Sequence, residues 1–90
     1  MFPADPILIA RGKYATLSRE RRKLLRDAQD HSQSLMASIT WIMRDCEAEP
    51  PSDIKPLQTA GECITGLQDI RGKIVELSNQ MLELKPEAWK

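Results

Sequence analysis

From Ala60 to Leu84 the apolar positions recur every seventh residue. Ala60, Leu67, Ile74 and Met81 hold one core position, and Cys63, Ile70, Leu77 and Leu84 hold the other. An unbroken a/d seam predicts a helix packed along its length against other helices. A less regular stripe precedes it: Leu17, Leu24, Leu25, Ala28, Leu35, Ile39, Ile42 and Cys46 follow one another at helical spacing. That stripe predicts a helix over about 18–47. Met36, Trp41 and Met43 fall off it and widen the apolar surface beyond what one neighbouring helix covers.

Punctuation sets the element boundaries. Asp5-Pro6 is a capping acid followed by proline at a first helical position, so a short helix is expected over about 6–12. Gly12 would end it, and Thr16 and Ser18 would cap the next helix. Ala48-Glu49-Pro50-Pro51-Ser52-Asp53 is the strong break, expected as a Pro-Pro turn over 48–53. Ser52 or Asp53 caps a second long helix over about 54–85, which Pro86 closes.

Two helices of about 30 residues, each roughly 45 Å long, joined by a short connection make antiparallel neighbours. The expected register places Leu24 near Leu77, Leu17 near Leu84, and His31 near Ile70. Residues 1–90 are read as one all-α domain, an antiparallel helical hairpin with a short N-terminal helix. A lone hairpin is too small to bury both stripes together with Trp41 and the methionines. A homo-oligomeric, coiled-coil-like helical bundle is therefore expected. Its interface is assigned to Leu35, Met36, Trp41, Met43, Leu67 and Ile74.

Composition changes this picture little. The chain is 41% apolar and 29% charged with zero formal net charge, so overall electrostatics give no general attraction to DNA, RNA or anionic membrane. No apolar run approaches the roughly 18–20 residues a membrane span needs. The opening Met1-Phe2-Pro3-Ala4 lacks the features of a secretion signal, and the two cysteines lack metal-ligand spacing. A reduced, cytoplasmic protein without metal or cofactor is expected. Cys46 and Cys63 lie too far apart in the hairpin register for a disulfide.

No catalytic constellation stands out. His31, the single histidine, falls on the core stripe away from any activated nucleophile, and Cys63 reads as a small hydrophobe. A non-enzymatic protein is expected. The basic run Arg19-Glu20-Arg21-Arg22-Lys23, with Arg26 one turn on, reads first as a solvated helix face. It faces Glu76, Glu83 and Glu87 across the hairpin. It reads second as an anion site, if a helix begins at Ser18 and its free N–H groups point at a phosphate. Gly61, Gly66 and Gly72 each cost about 1 kcal/mol in a helix, and close helix approach is the expected reason for them. Trp89 reads as a C-terminal anchor.

Tyr14-Ala15-Thr16-Leu17-Ser18, followed by a charged helix, resembles the opening of the small phage proteins that sequester cyclic oligonucleotides and defeat CBASS antiphage signalling. Thr65-Gly66-Leu67-Gln68 with Ile74-Val75 is similar to that family's second helix. Lys85-Pro86-Glu87-Ala88-Trp89 resembles its proline-then-aromatic tail. About a third of the positions are covered. The resemblance implies a helical multimer that holds a cyclic di- or trinucleotide between subunits, with Tyr14 stacking on a base. The family's phosphate-binding lysine is replaced by Gln29, and its Gly-Phe-Met run is absent. Arg22 and Arg26 would supply the phosphate contacts, with Ser18 at the helix end.

The sequence reading is thus a phage anti-defence sponge, with Tyr14, Ser18, Arg22, Arg26 and Gln29 as its ligand site. The alternative is a small adaptor or inhibitor that docks Met36, Trp41 and Met43 on a host or phage protein. A nucleic-acid-binding hairpin bundle is a third, less expected, reading.

Overall fold

The computed structural model describes residues 5–89. Two helices, α1 (Pro6–Glu47) and α2 (Lys55–Ala88), pack side by side as an antiparallel hairpin about 75 Å long.

The N-terminal end of α1 forms as its residues dictate. Pro6 opens the helix, and the Asp5 carboxylate accepts the Ile7 N–H at 2.9 Å. The connection is organised by Asp45, whose Oδ1 accepts the backbone N–H groups of both Ser52 and Asp53 at 2.9 Å. Asp53 in turn accepts the Lys55 N–H, serving the first turn of α2. Two prolines remove the N–H groups that would have continued α1.

The short N-terminal helix expected over 6–12 does not exist as a separate element. α1 runs unbroken through Gly12, and the Thr16 hydroxyl donates back to the Gly12 carbonyl instead of capping a new helix. Ser18 lies in the helix interior. A helical glycine costs about 1 kcal/mol, whereas ending a helix and starting another sacrifices several backbone hydrogen bonds and a new nucleation. Contacts with α2 reinforce continuity, because Arg11 Nε donates to the Ala88 carbonyl at 2.7 Å.

The far end differs from expectation for the same reason. α2 continues through Pro86 to Ala88, which is fully buried, and the Trp89 N–H returns to the Lys85 carbonyl. A proline so near the terminus forfeits one hydrogen bond, which the packing of Ala88 against α1 offsets.

The register agrees with the sequence over most of the hairpin. Leu17 and Leu84 line one stretch of the interhelical groove, and Leu24 and Leu77 line the next. His31 is displaced by one turn. Its ring sits over Gly66, not Ile70. Among the glycines of α2, Gly66 alone answers to close approach, since a Cβ at Gly61 or Gly72 meets nothing within 4 Å.

The core is thin. Ala10, Ala60, Cys63, Ile70, Ala88 and Ser38 are buried, and among the described residues no large side chain is fully buried. Leu35, Leu67 and Ile74 are half-buried on the seam between the two helices. There they contribute to the packing of α1 on α2. Both cysteines are free. Among the described residues no helix is long and apolar enough to cross a membrane.

Candidate functional site

A 3.6-residue period sorts the helix surfaces into two faces. Steps of three and four carry Arg11, Tyr14, Ser18, Arg21, Leu25, Gln29 and Ser32 along one side of α1, continuing to Met36, Ile39 and Met43. On α2 the corresponding strip is Leu57, Ile64, Arg71, Ser78, Leu82, Lys85 and Trp89. The strips share one face of the hairpin, because Tyr14 and Arg21 line a single groove with Ser78, Met81, Leu82 and Lys85. The opposite groove is lined by Lys13, Arg19, Glu20, Lys23, Asp30, Glu62, Lys73, Glu76, Glu83 and Glu87.

This division segregates charge. Neither strip carries an aspartate or glutamate between Arg11 and Met43 or between Leu57 and Trp89. Arg11, Arg21, Arg22, Arg71 and Lys85 stand on this face or its edge, while Glu20, Asp27, Asp30, Glu62, Asp69, Glu76, Glu83 and Glu87 lie away from it. A chain of zero formal net charge therefore has one basic face free of carboxylates, while the opposite face is mixed, with Lys13, Arg19, Lys23 and Lys73 among its acids. Coulomb interactions over such a face act locally, so the net charge does not describe them.

At the open end of the hairpin the basic face becomes a built site. Tyr14 is half-buried and meets Trp89 edge to face, with ring centroids 4.8 Å apart. The Arg11 guanidinium lies 5.9 Å from the Trp89 ring while its Nε holds the Ala88 carbonyl. Arg21 Nε donates to Ser78 Oγ at 3.1 Å, which fixes one side of its guanidinium and leaves the donors of its terminal nitrogens for other partners. Lys85 completes a groove of about 270 Å³. Two cations, a hydroxyl and an aromatic ring converge there without a carboxylate.

The larger cavity of about 930 Å³ lies on the other face. It is lined by Lys13 and Arg19 but also by Glu83 and Glu87, so a phosphate placed there meets two carboxylates. Size does not make it the anion site.

The residues expected from sequence divide on this geometry. Tyr14 lies in the groove, and Ser18 and Gln29 lie on the same strip, with Arg22 on its outer edge. Arg26 is exposed and turned outward, away from the groove. Ser18 has no free helix end to offer. Its N–H belongs to the interior of α1, and the true N-terminus is occupied by Asp5, an acid. The phosphate site at a helix start is thereby corrected, and the anion contacts available are side chains.

Arg21, Ser78 and Lys85 were not singled out by sequence. Arg21 is hidden inside a uniformly basic run, and Ser78 and Lys85 reach it only through the pairing of the helices.

The basic run itself is split. Arg19 and Lys23 face the mixed-charge groove and Arg21 faces the other. Trp41 is also parted from Met36 and Met43. It lines the mixed-charge side with Asp53, Lys55 and Thr59, under the Arg44 guanidinium at 4.9 Å.

No protein-family model matches this chain. Neither do the curated proteins or the solved structures provide a match. The functional reading rests on the residues and their arrangement.

Proposed function

We propose that this protein is a non-enzymatic, homo-oligomeric binding protein that sequesters a small anionic ligand carrying a nucleobase, a cyclic di- or trinucleotide. The observation that carries the reading is the carboxylate-free groove in which Tyr14, Arg21, Ser78 and Lys85 converge beside Trp89. A ring beside cations suits a base attached to a phosphate. The ring offers a stacking surface worth about 1–3 kcal/mol per base, and Arg21 and Lys85 offer charge-assisted hydrogen bonds. The sequence resemblance to phage sponges gives the same ligand class and the same tyrosine. In this reading Arg21 and Lys85 take the phosphate role first given to Arg22 and Arg26, and the protein acts in the cytoplasm of a phage-infected cell.

One chain's groove accommodates about one nucleotide unit. The test is calorimetric titration of cyclic di- and trinucleotides into the wild type, Tyr14→Ala and Arg21→Ala. Each substitution is expected to weaken binding about tenfold or more, roughly 1.4 kcal/mol. Unchanged affinity in both variants would place the ligand elsewhere. A steep salt dependence with long single strands binding equally well would favour the nucleic-acid reading instead.

A further inference from the structure

The face that carries the groove has a second half. Toward the connection its residues turn from basic to apolar: Met36, Ile39 and Met43 on α1 are 68%, 50% and 56% exposed, and Leu57 and Ile64 on α2 are 55% and 47% exposed. In a single hairpin these side chains touch water, while no large side chain among the described residues is fully buried. Trp41 is absent from this patch, so it is narrower and more purely aliphatic than the sequence suggested.

We infer that this half-face is covered by the same half-face of a second copy, about a two-fold axis crossing near Ile39. The inference rests on the homo-oligomeric part of the proposed function and gives it a surface. It does not depend on the ligand.

Area gives the first argument. A compact folded chain of 10.2 kDa exposes about 5,300 Å² by the usual scaling of surface with mass, whereas this chain exposes 7206 Å². The difference, roughly 1,900 Å² per chain, is spread along the 75 Å hairpin, and the roughly 800 Å² per partner of a standard interface is a part of it. The isolated hairpin has the surface of half an assembly, and the partner that is always present at matching concentration is the same chain.

Charge gives the second argument and sets the arrangement. Two copies laid over one another along their full length in the same direction would stack Arg11, Arg21 and Lys85 on their counterparts. A two-fold axis near Ile39 instead sets Met36 of one copy against Met43 of the other and sends the basic halves outward in opposite directions. Arg21 is 18 positions from Ile39 on α1, roughly 27 Å along the helix. Like charges of the two copies are then separated by several Debye lengths of about 8–10 Å each. The apolar halves pair and the ligand grooves stay open.

The experiment is sedimentation equilibrium on the full chain, wild type and Met36→Glu, with oxidative cross-linking of two cysteine variants made in a Cys46→Ser background. The wild type is expected to be a dimer or a multiple of one, and Met36→Glu to weaken association about a hundredfold or more. Ile39→Cys is expected to form a chain-to-chain disulfide readily, and Gln33→Cys, on the outer side of α1, is not. The cross-link needs no destabilised variant, so it decides the matter even if Met36→Glu fails to fold.

A wild type that stays monomeric to about 100 µM with a melting temperature independent of concentration would overturn the inference. So would an oligomer in which Gln33→Cys cross-links as well as Ile39→Cys. Loss of nucleotide binding in an intact dimer would defeat the ligand reading and leave this surface standing.

Discussion

His31 packs on Gly66 so closely that any side chain at position 66 must displace the imidazole ring. A Cβ at position 66 would lie 2.6 Å from both Cδ2 and Nε2 of the imidazole. The ring is held in place by Nδ1, 2.8 Å from the Asp27 carbonyl one turn back on its own helix. The pair interlocks the two helices near mid-length, where the core is otherwise made of small or half-buried side chains.

Gly66→Ala is therefore expected to destabilise the hairpin by about 1–2 kcal/mol, because displacing the ring outweighs alanine's better helix propensity. In a His31→Ala background the same change should become stabilising. A double-mutant cycle by chemical denaturation measures the coupling, and additive effects would show that the two residues do not meet.

Gly12 makes the opposite prediction. It lies inside a continuous helix with nothing within 4 Å of its missing Cβ. Gly12→Ala should raise stability by about 0.5–1 kcal/mol and increase the helical circular-dichroism signal. A loss of stability would show that the chain bends at this glycine and that two helices, not one, precede the connection.

Asp45 holds the connection through one oxygen that accepts two backbone N–H groups. Asp45→Ala should cost about 1–2 kcal/mol. Asp45→Asn retains a carbonyl oxygen at that position and should cost less. Thermal melts of the two variants separate loss of the acceptor from loss of charge.

Trp89 closes the open end against Tyr14 and Arg11. Trp89→Ala should lower stability by about 1 kcal/mol or more, through the lost aromatic pair and buried area. It should also weaken nucleotide binding by loosening Tyr14. Ligand-induced quenching should persist in Trp41→Phe, whose remaining indole is at the groove, and vanish in Trp89→Phe.

The fold was legible because the seam from Ala60 to Leu84 is regular and the Pro50-Pro51 break is unmistakable. Those features fix two antiparallel helices and nearly their register. The ends were less legible. Gly12, Thr16 and Ser18 carry the local marks of a boundary, and Pro86 those of a stop, but tertiary contacts at Arg11 and Ala88 override both. The candidate site was half legible. Tyr14 was identified, while Arg21 and Lys85 depend on which way each member of a basic run turns and on the pairing of helices distant in sequence. Net charge concealed the most informative property, the separation of Arg21 and Lys85 from Glu76, Glu83 and Glu87.

Native mass spectrometry of the wild type and Tyr14→Ala, with and without cyclic di- and trinucleotides, tests the central claim most directly. The account predicts an oligomer that gains nucleotide mass in a fixed ratio to chains, with the gain lost or sharply reduced in a Tyr14→Ala protein of unchanged assembly. A folded wild type that takes up no cyclic nucleotide at concentrations well above micromolar would contradict it.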